Sequence, residues 1–126
     1  VEVTGLSTYG GDAVTRMFIL EKVVWEFFMR NHSVHILYGI FHGGPKDGSW
    51  ILPGGTRMSF WDIESMWQKA KDLGTCNHLI IVADSCYSGW WAAHASNCES
   101  QSISVQAACG PCKTTLDDSD YSFTSF

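Results

Sequence analysis

The chain has 126 residues, a formal net charge of −5, 45% hydrophobic and 17% charged residues. That composition excludes a largely disordered chain, and the lack of a basic patch argues against nucleic acid as a partner. Its longest apolar runs, such as Leu79 to Ala83, are too short to cross a membrane, so no membrane partner is expected.

Length and patterning predict one domain over 1–126, large enough to bury roughly two-thirds of its unfolded surface. The chain opens on Val1 and shows no signal peptide, so it is read as a processed or N-terminally truncated form. Five cysteines leave an odd thiol, which favours a reducing, cytoplasmic compartment.

Val1–Leu6 alternates as a short strand would. Tyr9-Gly10-Gly11-Asp12 reads as a turn, with Asp12 a candidate N-cap. Met17, Leu20, Val24, Phe27 and Phe28 follow helical spacing and predict a helix from Val14 to about Met29. Val34–Phe41 is rich in strand formers and reads as a strand buried on both faces. Ser49–Leu52 predicts a short edge strand before the Pro53-Gly54-Gly55 turn.

Ser59 with Asp62 forms a capping-box pattern. Ile63, Met66, Trp67, Ala70 and Leu73 then predict a second amphipathic helix, closed by Gly74. Leu79–Ala83 is the strongest buried-strand signal, and Asp84–Gly89 a sharp turn. Trp90–Ser102 reads as a loop, Ile103–Ala108 as a further strand, and Leu116–Phe126 as an acidic, then aromatic tail. Strands alternating with helices predict an α/β fold with a mostly parallel sheet. Reactive groups in such sheets gather beyond the C-terminal strand ends.

Cys109-Gly110-Pro111-Cys112-Lys113 has the form of a dithiol redox motif. A thioredoxin-like domain would need further strands and a later cis-proline, and no proline follows Pro111. The motif is better read as a turn after a strand. A zinc site from Cys109, Cys112, Cys76 and His78 has an unusual C-x-H spacing. His35, inside a strand, reads as a core histidine; His32, His78 and His94 read as loop residues, and Trp90 and Trp91 as packing or cleft walls.

A second pattern is more informative. One apolar strand runs into His42-Gly43-Gly44, and another runs into Cys86. A thiol is only slightly ionised at neutral pH, and a neighbouring imidazole can take its proton. Glycines beside both residues let backbone N–H groups approach a carbonyl oxygen.

With Asp84-Ser85-Cys86-Tyr87-Ser88-Gly89 after the second strand, the chain resembles the caspase-like (clan CD) cysteine peptidases, closest to the metacaspase and paracaspase branch. Further likeness lies in Thr15–Leu20, Trp50–Pro53, Ser104–Cys109 and Phe123-Thr124. The resemblance implies a caspase-like three-layer sandwich lacking its usual first strand and helix. It implies a cysteine endopeptidase, of a kind tied to programmed cell death, acting on peptide or protein substrates. Cys86 would be the nucleophile and His42 the general base. The N–H groups of Gly43 and Cys86 would form the oxyanion hole.

Asp84 would bind substrate by lining a pocket for Arg or Lys. The alternative is an inactive caspase-like interaction domain. Phe41 stands where relatives carry Gly, and Gly54 and Gly55 where they often carry an acid. The gap left by the absent strand makes a homodimer a candidate assembly. No cofactor or metal is expected; the resemblance makes Asp117-Asp118-Ser119-Asp120 a candidate calcium run, whereas short acidic runs are usually solvated loops.

Overall fold

A computed structural model describes residues 5–98 and 102–110. Gly5 and Leu6 are not in a strand, and the rest of the strand expected at Val1–Leu6 lies outside the described residues. So do Cys112, the Asp117–Asp120 run and Phe123-Thr124.

Gly11–Ala13 forms a 3-10 turn. The first helix starts after it, capped by Thr15 rather than by Asp12: the Phe18 N–H donates to Thr15 Oγ1 at 3.2 Å. One α-helical turn over Arg16–Phe18 runs on as a π-helix over Ile19–Phe28, and the two together are called α1. At its end the Met29 N–H reaches back to the Val24 carbonyl at 3.2 Å. The wider coil turns a different face inward from the one a regular α-helix would bury. Ile19, Val23, Val24 and Phe28 are buried, whereas Met17 is exposed.

Three long strands follow the expected alternation: β1 (His32–Ile40), β5 (Cys76–Asp84) and β6 (Ile103–Ala107). They form a parallel sheet in the order β1-β5-β6. Its inner face carries Leu79, Ile81 and Ala83 on the central strand. Beside them in register stand His35, Leu37 and Gly39 of β1, then Ile103 and Val105 of β6.

Helix α2 (Phe60–Asp72) begins with the predicted capping box, in which Asp62 N–H donates to Ser59 Oγ and Ser59 N–H donates to Asp62 Oδ2. Ile63, Met66, Trp67 and Ala70 are buried as expected, but Leu73, at the C-cap, is exposed. Trp67 packs edge-on against Phe28 and His35, which joins α2, α1 and the sheet. The Arg16–Asp62 ion pair at 3.1 Å links the starts of the two helices.

Gly89–Asn97 is a third helix, α3, where the sequence predicts a loop. Its anchor is Trp91, which is buried and stacked on Trp50 with ring centres 4.2 Å apart. The Trp91 Nε1–H also donates to the Gly48 carbonyl at 2.6 Å. Trp50 belongs to a second, antiparallel sheet made of β2 (His42–Gly43), β3 (Trp50–Ile51) and β4 (Arg57–Met58). The segment expected at an edge is thus the middle strand of that sheet. Gly39 is required beneath it, because a Cβ there would lie 2.4 Å from the Trp50 ring.

The fold is therefore mixed α/β, with helices and a three-stranded parallel sheet. Strand β1 is not buried on both faces. Val34, Ile36, Tyr38 and Ile40 point outward and are 48%, 51%, 42% and 69% exposed. The aromatic contacts of α1, α2 and α3 all lead to the inner face of the sheet. Among the described residues, no helix is long and apolar enough to cross a membrane.

Candidate active site

Strands β1 and β5 run side by side, and Ile40 pairs with Asp84 at their C-terminal ends. His42 and Cys86 each stand two residues beyond that pair. A parallel register therefore brings to one sheet edge two residues far apart in sequence. The Phe41 N–H still donates to the Asp84 carbonyl at 3.4 Å, which holds the two exits together.

Both exits open into one cleft of about 610 Å³, lined by His42, Cys86 and Asp84 with Ile40, Phe41 and Ile51. Ser85 also lines it, as does Gly11 from the turn before α1. The nucleophile and base expected from the sequence thus share a cleft with the expected specificity residue. His42 is exposed, and Gly43, Cys86 and Asp84 are partly buried, so all four are accessible from solvent.

Gly43 meets the turn after β5 backbone to backbone. A Cβ at Gly43 would stand 1.9 Å from the Cys86 carbonyl oxygen, a distance no side chain survives. Gly43 and Cys86, the two expected oxyanion donors, are therefore immediate neighbours. Tyr87, next to Cys86, has φ of 57°, a left-handed conformation that costs a non-glycine residue about 1–2 kcal/mol. The turn that presents Cys86 is accordingly held by its surroundings.

Cys109 supplies much of that hold. Its N–H donates to Ser88 Oγ at 3.1 Å, Ser88 Oγ donates back to its carbonyl, and its thiol donates to the Ser85 carbonyl at 3.4 Å. Cys109 thus clamps both ends of the turn that contains Cys86. That role needs neither dithiol chemistry nor zinc. Cys76 and His78 start β5, whereas Cys109 follows the end of the parallel strand β6, so they lie at opposite ends of the sheet. They cannot share one metal ion. Among the described residues, no group of three or more His, Cys, Asp or Glu could hold a metal.

Two features were missed from sequence. The Ser85 hydroxyl is buried with no hydrogen-bond partner, an unusual state for a polar group. Tyr38 Oη donates to Asp84 Oδ2 at 3.1 Å. Both depend on which residues face each other across strands.

The remaining histidines stand in regular elements rather than loops: His32 in β1, His78 in β5 and His94 in α3. His78 bonds Ser104 Oγ and His94 the Asp47 carbonyl, so each has a structural partner away from the cleft. His35 is a core residue, 1% exposed, with Nε2–H donating to the Arg30 carbonyl at 2.9 Å. Burial pushes its pKa below the usual imidazole range. Phe41 stacks on Trp50 with ring centres 4.8 Å apart, so much of its bulk is absorbed by packing. Trp91 serves the core, and Trp90 stacks on His94.

No family model matches the chain. A stretch of 79 residues, 61% of the chain, is 37% identical to the human protein Transmembrane protein 168. The match spans 11% of that protein's length.

Proposed function

We propose that this chain is a caspase-like cysteine peptidase domain, closest to the metacaspase and paracaspase branch, that cleaves peptide bonds after Arg or Lys. The observation that carries the reading is the register. His42 and Cys86 leave adjacent parallel strands at one level and line one cleft with Asp84.

In this mechanism His42 takes the Cys86 proton, and the thiolate attacks the scissile carbonyl carbon. The N–H groups of Gly43 and Cys86 donate to the oxyanion that forms. His42 then protonates the leaving amine. Water, deprotonated by His42, hydrolyses the thioester and returns Cys86 to the thiol. Asp84 pairs with the basic side chain before the cut. The odd cysteine count makes the cytoplasm the proposed compartment.

The test is hydrolysis of fluorogenic peptides ending in Arg, Lys or Asp, with and without calcium. Cleavage after Arg or Lys, lost by at least about a thousand-fold in both Cys86→Ala and His42→Ala, is the expected result. Cleavage after Asp alone would remove the specificity reading and keep the dyad.

A second reading is supported by the outward stripe Val34, Ile36, Tyr38 and Ile40 on an edge strand. Parallel sheets are usually covered on both faces. In this reading the domain binds a second copy through β1 and does not cut. No hydrolysis under any condition, together with a dimer in light scattering, would favour it.

A further inference from the structure

We propose that Tyr38 is a positioning residue that fixes the Asp84 carboxylate for a guanidinium, so that the cleft selects arginine over lysine and rejects uncharged isosteres. The proposal rests on the reading of Asp84 as the acid that meets the substrate's basic side chain.

Its basis is the sheet register. Tyr38 pairs with Val82, and Asp84 lies two residues further along β5, paired with Ile40. Tyr38, Ile40, Val82 and Asp84 therefore share the outward face. The Tyr38 phenol crosses diagonally to Asp84 and donates to Oδ2 at 3.1 Å.

Asp84 also lines the cleft that holds His42 and Cys86. The ion pairs among the described residues are Arg16–Asp62 and Lys22–Glu26, and neither involves Asp84. A neutral phenol fixes the plane of the carboxylate without cancelling its charge. Each carboxylate oxygen has two lone-pair sites, so Oδ2 can accept from Tyr38 and still join Oδ1 in receiving a guanidinium fork. An ammonium is a point donor and gains less from a fixed plane. Ile40, exposed beside Asp84 in the cleft, offers an apolar bed for the methylene stem of the incoming side chain.

The phenol is suited to remain a donor. Burial, then the Asp84 carboxylate, push the Tyr38 pKa above its ordinary value.

Binding can be tested apart from turnover. Titration calorimetry on Cys86→Ala protein would compare tripeptide amides ending in arginine, lysine and citrulline. Arginine should bind tightest, lysine more weakly and citrulline not measurably. Adding Tyr38→Phe should weaken arginine binding about ten-fold, the loss of one charged hydrogen bond, and shrink its margin over lysine. Asp84→Asn should abolish the preference.

Tyr38 is partly exposed, so its variant should fold, and an unchanged melting temperature would verify that. Unchanged arginine affinity in Tyr38→Phe, or equal weakening of arginine and lysine, would overturn the proposal. Equal binding of arginine and citrulline by Cys86→Ala protein would overturn it too. Selective binding without hydrolysis by the unmodified chain would sink the peptidase reading and leave the Tyr38 role standing.

Discussion

The inner face of the parallel sheet and its C-terminal edge are built from the same strands, yet they are organised oppositely. On the inner face, Leu79, Ile81 and Ala83 are fully buried against Phe28 and Trp67. At the edge, a few residues further along, Tyr87 is left-handed, the Ser85 hydroxyl lacks a partner and His42 is open to solvent. The face supplies cohesion, and the edge uses it to hold strained and polar groups in place. If the proposed peptidase reading holds, a change at the edge should cost activity first, and a change on the face stability first.

The sharpest test of that division is Gly43→Ala. The new methyl would collide with the Cys86 carbonyl, and the backbone of one strand exit must move. Under the proposed function, peptide hydrolysis should fall by about a hundred-fold or more, as expected when a proposed oxyanion donor is displaced. Retention of full activity would mean that this backbone approach has no part in the site.

Trp67→Ala probes the face. It removes a fully buried ring that touches Phe28 and His35 and donates to Ser102 Oγ. Urea unfolding should show a loss of about 3–5 kcal/mol. A loss under about 1 kcal/mol would mean that the three-way packing does not carry the fold.

His35 should make the face sensitive to acid. Its folded-state pKa is lowered by burial, with the nearby His32 adding to the effect, so the unfolded chain binds the proton first. Its stabilising contribution is complete above the unfolded imidazole value of ~6.5. It declines as pH falls below that value, at no more than about 1.4 kcal/mol per pH unit, and levels off below the folded pKa. In His35→Phe this part of the pH dependence should vanish. An identical stability–pH curve in the variant would refute the assignment.

The smallest expected effect lies at the start of α2. Ser59→Ala removes the acceptor for the Asp62 N–H and should cost about 1 kcal/mol, measurable as a lowered melting temperature with activity retained. Loss of activity there would blur the division between face and edge.

Several elements were readable because their signals are local. The apolar run Leu79–Ala83 lies within β5, and the Ser59/Asp62 pattern starts α2 as a capping box must. Helix α3 was not readable, because Ala92, Ala93 and Ala95 give no amphipathic stripe and its hold is Trp91 stacked on a distant Trp50. The inward face of α1 was half readable. Val24 and Phe28 are buried as expected, but widening of the coil exposes Met17 and buries Ile19 and Val23.

From the sequence alone came the strand-to-residue junctions at His42 and Cys86, because an apolar run that stops at a glycine-flanked reactive residue is a local pattern. Their meeting in one cleft was decided by the parallel pairing of β1 with β5, which sets Ile40 level with Asp84. The same is true of the Tyr38–Asp84 bond, the Cys109 clamp and the open outward face of β1. Each joins or exposes residues distant in the chain. Spacing along a sequence encodes the face of a strand, but which strand lies beside it, and in what register, is set by the packing of the whole core.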